Sequence, residues 1–450
     1  MKPVVTNSYL PLKSGPAASE TSFGVNLAAL LLSIGLVIAC HLLGIDSAVW
    51  LALLLIPALL LTTTALETLC FPKTCALRQL RVRRALSLRR VAFRETALLV
   101  TLAVIAAGIW LFPAFCDPTK TDAALRTGCL AFLWRLSVIL LLVGIPYFCL
   151  MDRLDPEEED VMCRLGRTIL TGRPAVTRFE LANYARAWLV KAFFLMLMTA
   201  FLIVKIKALV AFPYAQLADT PNQLYDFIFT LIYVLDVSIA AGGYTLNLRL
   251  INAQTRTAEP TLFGWLAAIM CYWPFWDILF GPYFLDYAAG GSWQSVFAAG
   301  SAGWWTWLAL MAFLGIVYIS ATVAAGIRFS NLTYRGLWNT GPYRLTKHPA
   351  YVAKNIMWWL MFMPFVISSG TQAVRYSVLL LLLNGVYYLR ARTEERHLSH
   401  YPEYVAYALE MNRRSIFRGV ARLLPFLAYR PPKEDDLVFR VSSPGLARGV

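Results

Sequence analysis

The segment Gly341-Pro-Tyr-Arg-Leu-Thr-Lys-His-Pro-Ala-Tyr351 is followed by two apolar runs, at about 355–369 and 374–389, and then by Arg390-Ala-Arg-Thr-Glu-Glu-Arg-His-Leu398. Pro349 fixes its own φ, lacks an amide proton and pushes His348 out of helical conformation, so a loop must end and a helix begin there. A charged loop, an apolar hairpin and a charged helix end in that order imply a chain that enters a membrane and returns to the face it left. Both polar pieces then meet at one interface, and the rest of the chain has to be compatible with that arrangement.

Working outward, the 450 residues are 58% hydrophobic and only 15% charged, well below the roughly 25% charge of soluble domains. Apolar runs long enough for a ~30 Å hydrocarbon layer recur throughout. Backbone groups in that layer must pair internally, and the alternating pattern of a barrel is absent, so the spans are helices. The expected fold is all-α and polytopic, with about ten transmembrane helices at 25–44, 47–66, 96–112, 129–150, 187–207, 223–243, 262–281, 303–327, 355–369 and 374–389. A polar N-terminal tail, residues 1–24, precedes the first span and does not read as a cleavable signal peptide.

The net charge of +15 sits in short loops between apolar runs, which excludes nucleic acid as its reason and favours topology and anionic membrane lipids. Loop 67–95 holds Lys73 and seven arginines, whereas loops 208–222 and 282–302 hold no Lys or Arg. The positive-inside rule then makes loop 67–95 cytoplasmic, and alternation brings both termini and loop 328–354 to the same side. In a bacterium this would be an integral protein of the inner membrane.

Taken alone, each candidate residue has a plain structural reading. His348 is an interfacial or capping histidine, and Arg390 with Glu394 is a surface i,i+4 pair worth well under 1 kcal/mol. Together they bring both signs of charge, exposed amides of a helix start and the flat faces of Tyr343 and Tyr351 to one interface.

In that combination the two segments resemble the C-terminal signature of integral-membrane methyltransferases, the isoprenylcysteine carboxyl methyltransferase and phospholipid methyltransferase group. The resemblance covers about 335–417. It implies S-adenosyl-L-methionine as cofactor and a lipid-like or prenyl-type methyl acceptor, and it makes 223–430 the catalytic region, 25–222 a membrane region of unassigned role and 431–450 a poorly structured tail. It further implies that Arg335, Gly336, Leu337, Trp338, Tyr343, Lys347, His348, Pro349, Ala350, Tyr351 and Glu394 surround the cofactor. Arg390 would face the acceptor, and Arg390, Glu394 and Glu395 would form the catalytic segment. Two departures are Lys347, where arginine is usual, and Ala353, where glycine often stands; lysine keeps the charge but loses the forked geometry.

The expected reaction is methyl transfer to a carboxylate oxygen, which needs no general base; an amine acceptor would need one, with Glu395 and His397 the nearest candidates. Three alternatives stay open: a phospholipid-headgroup N-methyltransferase, a sterol-reductase-like NADPH enzyme, and a transporter or non-catalytic scaffold. The reductase signature lacks the Glu-Glu segment, and no repeat symmetry supports a transporter. Asp236 and Asp277, inside expected spans, would serve either helix pairing or acceptor binding. The acidic block Asp155–Asp160 reads as a solvated helix start, the pair Cys70 and Cys75 lacks a second ligand pair for a metal, and Cys116 and Cys129 flank an outer loop that an oxidising compartment would allow to bridge. No feature of the chain selects an oligomeric state.

Overall fold

The computed structural model describes residues 4–6, 19–71, 77, 80–111, 123–217, 220–281, 286–288, 290–433 and 437–442. In chain order the helices are α1 (Phe23–Leu42), α2 (Ala48–Cys70), α3 (Leu88–Leu111), α4 (Ala123–Leu154), α5 (Val161–Thr171), α6 (Arg178–Val210), α7 (Pro221–Thr245), α8 (Leu262–Ile269), α9 (Phe275–Phe280), α10 (Ala302–Ala325), α11 (Pro349–Phe362), α12 (Pro364–Ile367), α13 (Gly370–Leu398), α14 (Pro402–Arg414) and α15 (Arg418–Leu423). Four short strands complete the described chain: β1 (Val4–Thr6), β2 (Thr257–Ala258), β3 (Thr333–Tyr334) and β4 (Arg440–Ser442).

The protein is a multi-pass helical membrane protein. Among the described residues, eight helices are long and apolar enough to cross a bilayer: α1, α2, α3, α4, α6, α7, α10 and the α11–α12 segment. Two of the ten expected spans differ. The seventh, 262–281, is split into α8 and α9 by a turn through Tyr272 and Trp273-Pro274, where proline can neither donate to a helix ladder nor leave room for one. Non-helical backbone at membrane depth survives only where protein buries it or a cavity adjoins it, and Tyr272 in this turn does line a cavity. The tenth lies within the 29-residue α13, whose apolar stretch runs directly into the charged turns at Arg390–Leu398.

The core joins the two halves of the chain. Leu55 and Leu59 of α2, Phe194 and Leu197 of α6, Ala240 and Tyr244 of α7 and Val323 of α10 belong to one buried cluster. α6 and α7, one from each half of the chain, pack along each other, and α1 packs on both α2 and α10.

The acidic block starts a helix, as expected, but is only partly solvated: Asp155 and Asp160 are buried while Glu158 stays exposed. Asp160 accepts from the amide of Cys163 as the N-cap of α5, and it also pairs with the buried Arg94 of α3 at 2.9 Å. Asp155 and Glu157 hold Arg249 at 3.0 and 2.7 Å, and Glu158 holds Arg90 at 2.8 Å. Arg90 and Arg94, from the expected loop 67–95, are thus neutralised where they meet the block, because unpaired charges beneath a packed surface are costly.

Within the expected loose tail, residues 437–442 are packed against the rest of the protein. Phe439 is 1% exposed and stacks on His400 with ring centroids 3.9 Å apart. Beyond it β4 pairs in parallel with β1, tying the two ends of the chain together. Cys75 and Cys116 lie outside the described residues; Cys129 is buried, with its sulfur 3.6 Å from the carbonyl of Met196.

Candidate functional site

The loop between α10 and α11 and the end of α13 meet where the apolar part of the bundle ends. His348 is the N-cap residue of α11, at φ −130° and ψ 60°, with Pro349 in the first helical position. No side chain caps this helix, so its first amides stay available. The imidazole lies parallel to the Tyr351 ring, with centroids 5.3 Å apart and planes inclined by 6°. Tyr351 in turn donates its hydroxyl to Glu394 at 2.6 Å.

These groups surround a cleft with two lobes. The first encloses about 820 Å³ open to solvent and is lined by Gly336, Leu337, Trp338, Tyr343, Lys347, His348, Tyr351, Arg390 and Glu394, joined by Glu259, Asn331, Thr393, His397, Tyr404 and Tyr407. The second, of about 660 Å³, shares Trp338, Tyr343, His348, Tyr351, Arg390 and Glu394. It continues toward the helices, past Ala350, Tyr272, Tyr318, Thr322, Lys354 and Tyr387.

Three expected residues do not line either lobe. Arg335 is fully buried and donates to the carbonyls of Gly243 at 2.6 Å, Ala253 at 3.1 Å, Phe329 at 3.2 Å and also Leu246. Burial pushes its guanidinium down to about 9, still protonated at neutral pH, and it fastens the loop to the end of α7. Pro349 is buried as the first residue of α11 and acts through the backbone. Glu395 faces the rim behind the cleft. It is held by Lys347 at 2.6 Å, Arg392 at 2.7 Å and His348 at 3.1 Å. Burial alone would raise its carboxyl, but the His348 hydrogen bond and the charges of His348 and Lys347 hold it down at about 2. So Glu395 locks loop to helix through three cationic partners.

The neighbour that does open on the cleft is Glu394. Arg390 stands one turn earlier in α13, its guanidinium between the rings of Tyr351 and Tyr272 at 5.0 and 5.2 Å. Its Nη2 donates to Asn331 at 2.7 Å and to Tyr272 at 3.2 Å. The expected Arg390–Glu394 pair is thus replaced by separate partners at the junction of the two lobes.

Gly336 adopts φ 108°, a region closed to most side chains. The turn it makes brings the carbonyl of Leu337 within 2.8 Å of the Glu20 amide, and Glu20 bridges to Arg256 at 2.6 Å. The N-terminal segment thereby packs behind the Gly336–Leu337 turn that lines the first lobe.

The sequence alone did not point to Glu259. It is 1% exposed and accepts from the Thr261 amide at 3.0 Å and from the Thr261 hydroxyl. Burial raises its carboxyl above the usual range, against those hydrogen bonds. Its second oxygen lies 3.8 Å from Nδ1 of His397. The one available signal was that Glu259 is the sole carboxylate in loop 244–261, directly before an apolar run. His397 is pushed down to about 3 by burial, with His400 and Arg186 acting in the same direction, so it is neutral at pH 7. Its Nε2 is 3.0 Å from the Thr257 hydroxyl.

The set of groups suits a ligand with an aromatic base, a cation and a carboxylate. Tyr343, Trp338 and Tyr404 offer ring faces, Glu394 and Glu259 offer negative charge, and the uncapped α11 amides offer donors. In comparisons with protein-family models, with curated proteins and with solved structures, nothing matches this chain.

Proposed function

We propose that this protein is an S-adenosyl-L-methionine-dependent methyltransferase that modifies a lipid-like or amphipathic acceptor at a carboxylate oxygen, similar in kind to the isoprenylcysteine carboxyl and phospholipid methyltransferases. The observation that carries this reading is the meeting of the Lys347–Tyr351 loop and the Arg390–Glu394 turn on one cleft, through Tyr351 and Glu394 at 2.6 Å.

The fit is chemical. Glu394 and Glu259 are placed to balance the ammonium of the cofactor, the first amides of α11 to hold its carboxylate, and Tyr343 and Trp338 to cover its adenine. When bound, the cofactor supplies an electrophilic methyl on a sulfonium centre. Arg390, between the lobes, orients the acceptor's carboxylate with the donors that Asn331 and Tyr272 leave free. Attack by a carboxylate on a sulfonium methyl cancels charge, so displacement of water from the tyrosine-lined cleft by the two bound partners favours transfer once they are in line. No side chain has to take a proton. That favours a carboxylate acceptor over an amine, because His397 lines the first lobe and not the second.

The test is direct. Purified protein in nanodiscs should bind S-adenosyl-L-methionine in preference to NADPH and transfer its labelled methyl group to a base-labile ester in membrane extracts. NADPH binding without S-adenosyl-L-methionine binding would favour the reductase reading instead. Absence of both would leave a non-catalytic membrane protein.

A further inference from the structure

We propose that the second lobe is a head-group subsite for an anionic lipid, carboxylate or phosphate, read by Lys354 together with Arg390. The inference rests on the reading of this lobe as the acceptor side. Lys354 lies five residues beyond Pro349 on α11, roughly 7.5 Å deeper along the helix axis. A lysine inside an apolar span is costly and is kept where it has a charge to meet. Lys354 and Arg390 both line the lobe. Neither has a carboxylate within ion-pairing distance among the described residues: Lys354 lies 4.3 Å over the ring of Tyr318, and Arg390 contacts only neutral groups.

Asp236 is the charge on the neighbouring helix that acts on Lys354, but its oxygens are already bound by Thr322 at 2.6 Å and by Tyr318. It neutralises the wall behind the lobe and leaves the ammonium facing the cavity. Glu394 also lines the lobe, with one carboxylate oxygen taken by the Tyr351 hydroxyl at 2.6 Å; Lys354 and Arg390, in a space walled by Tyr272, Tyr318, Tyr351 and Tyr387, still repel each other and are poorly solvated. An anionic head group relieves both costs at once. An amine head group would add a third positive charge with only Glu394 to offset it, so the lobe selects acids over amines by repulsion as well as attraction.

The experiment uses the full chain in neutral phosphatidylcholine nanodiscs, titrated without cofactor with four probes of equal chain length: a fatty acid, an alkyl phosphate, a fatty alcohol and an alkyl amine. The acid or the phosphate should bind at least roughly tenfold more tightly than the alcohol, the scale of one charge-assisted hydrogen bond. Whichever of the two binds better identifies the head group. Lys354→Met should abolish that preference and Lys354→Arg restore most of it, with S-adenosyl-L-methionine binding retained in both. Equal binding of acid and alcohol by the unaltered protein, tighter binding of the amine, or an undiminished preference in Lys354→Met would overturn the proposal. Acid selectivity without cofactor binding would leave the subsite standing and remove the methyltransferase reading. Cofactor binding without acid selectivity would do the reverse.

Discussion

Tyr351 and Glu394 are 43 residues apart in sequence and joined by a 2.6 Å hydrogen bond across the mouth of the cleft. That bond lies at the junction of the two lobes, and the Arg390 guanidinium lies 5.0 Å from the centre of the same tyrosine ring. One aromatic side chain therefore positions both the carboxylate and the guanidinium on which the proposed chemistry depends.

The first expectation separates those two charges. Glu394→Ala should weaken S-adenosyl-L-methionine binding by ~1–3 kcal/mol, the usual cost of removing one charged hydrogen-bond partner. Arg390→Ala should leave binding nearly intact and lower methyl transfer much more, and Arg390→Lys should recover only part, since a point charge does not reproduce a forked contact. Calorimetric titration beside a transfer assay reads both; equal loss of affinity in Glu394→Ala and Arg390→Ala would contradict the division of labour.

Glu395 should behave as a stability residue. Removing one member of a buried charge cluster costs about 3–5 kcal/mol, so Glu395→Ala should lower the melting temperature sharply. Because its carboxyl is held down at about 2 in the folded protein, its contribution is complete above the unfolded value near 4.3 and fades as pH falls from there toward 2. Melting curves between pH 7 and pH 3 should therefore converge for the unaltered protein and Glu395→Gln. Parallel curves would show that the lock does not depend on its charge.

Glu259 and Gly264 offer a test inside the first lobe. A methyl group added at Gly264 would approach the Glu259 side chain to 2.5 Å, which must then turn away. Gly264→Ala and Glu259→Gln should both weaken S-adenosyl-L-methionine binding by ~1–3 kcal/mol, with Gly264→Ala also lowering the melting temperature because the buried Glu259 must move. Unchanged affinity in both variants would remove Glu259 from the binding set.

Topology provides an expectation that does not involve the ligand. Reporter fusions in loop 67–95 and in loop 328–348 should give the cytoplasmic signal, and fusions within 290–300 the opposite one. A cytoplasmic signal from 290–300 would place the cleft away from the cytosolic cofactor supply.

The break at His348–Pro349 was legible in the sequence because proline imposes it locally, whatever surrounds it. The apolar runs were legible for a similar reason: a bilayer demands a fixed length of helix, and the length can be read from the chain. The assignment of Glu395 was not, since its three cations come from the loop as well as from its own helix, and only folding shows that they exhaust its carboxylate.

What the sequence determined by itself is the set of properties that residues carry with their immediate neighbours: membrane spans, the helix start at Pro349, and the charged turn Arg390–Glu394 following an apolar hairpin. What only the tertiary structure decided is which distant groups share a cavity. Glu259 lies beside His397 of α13, Tyr272 reaches the cleft because span seven breaks there, and Lys354 is left with an open face because Tyr318 and Thr322 have already claimed Asp236. Such relations depend on the packing of helices far apart in the chain, and burial, charge and hydrogen bonding are settled only after that packing is complete.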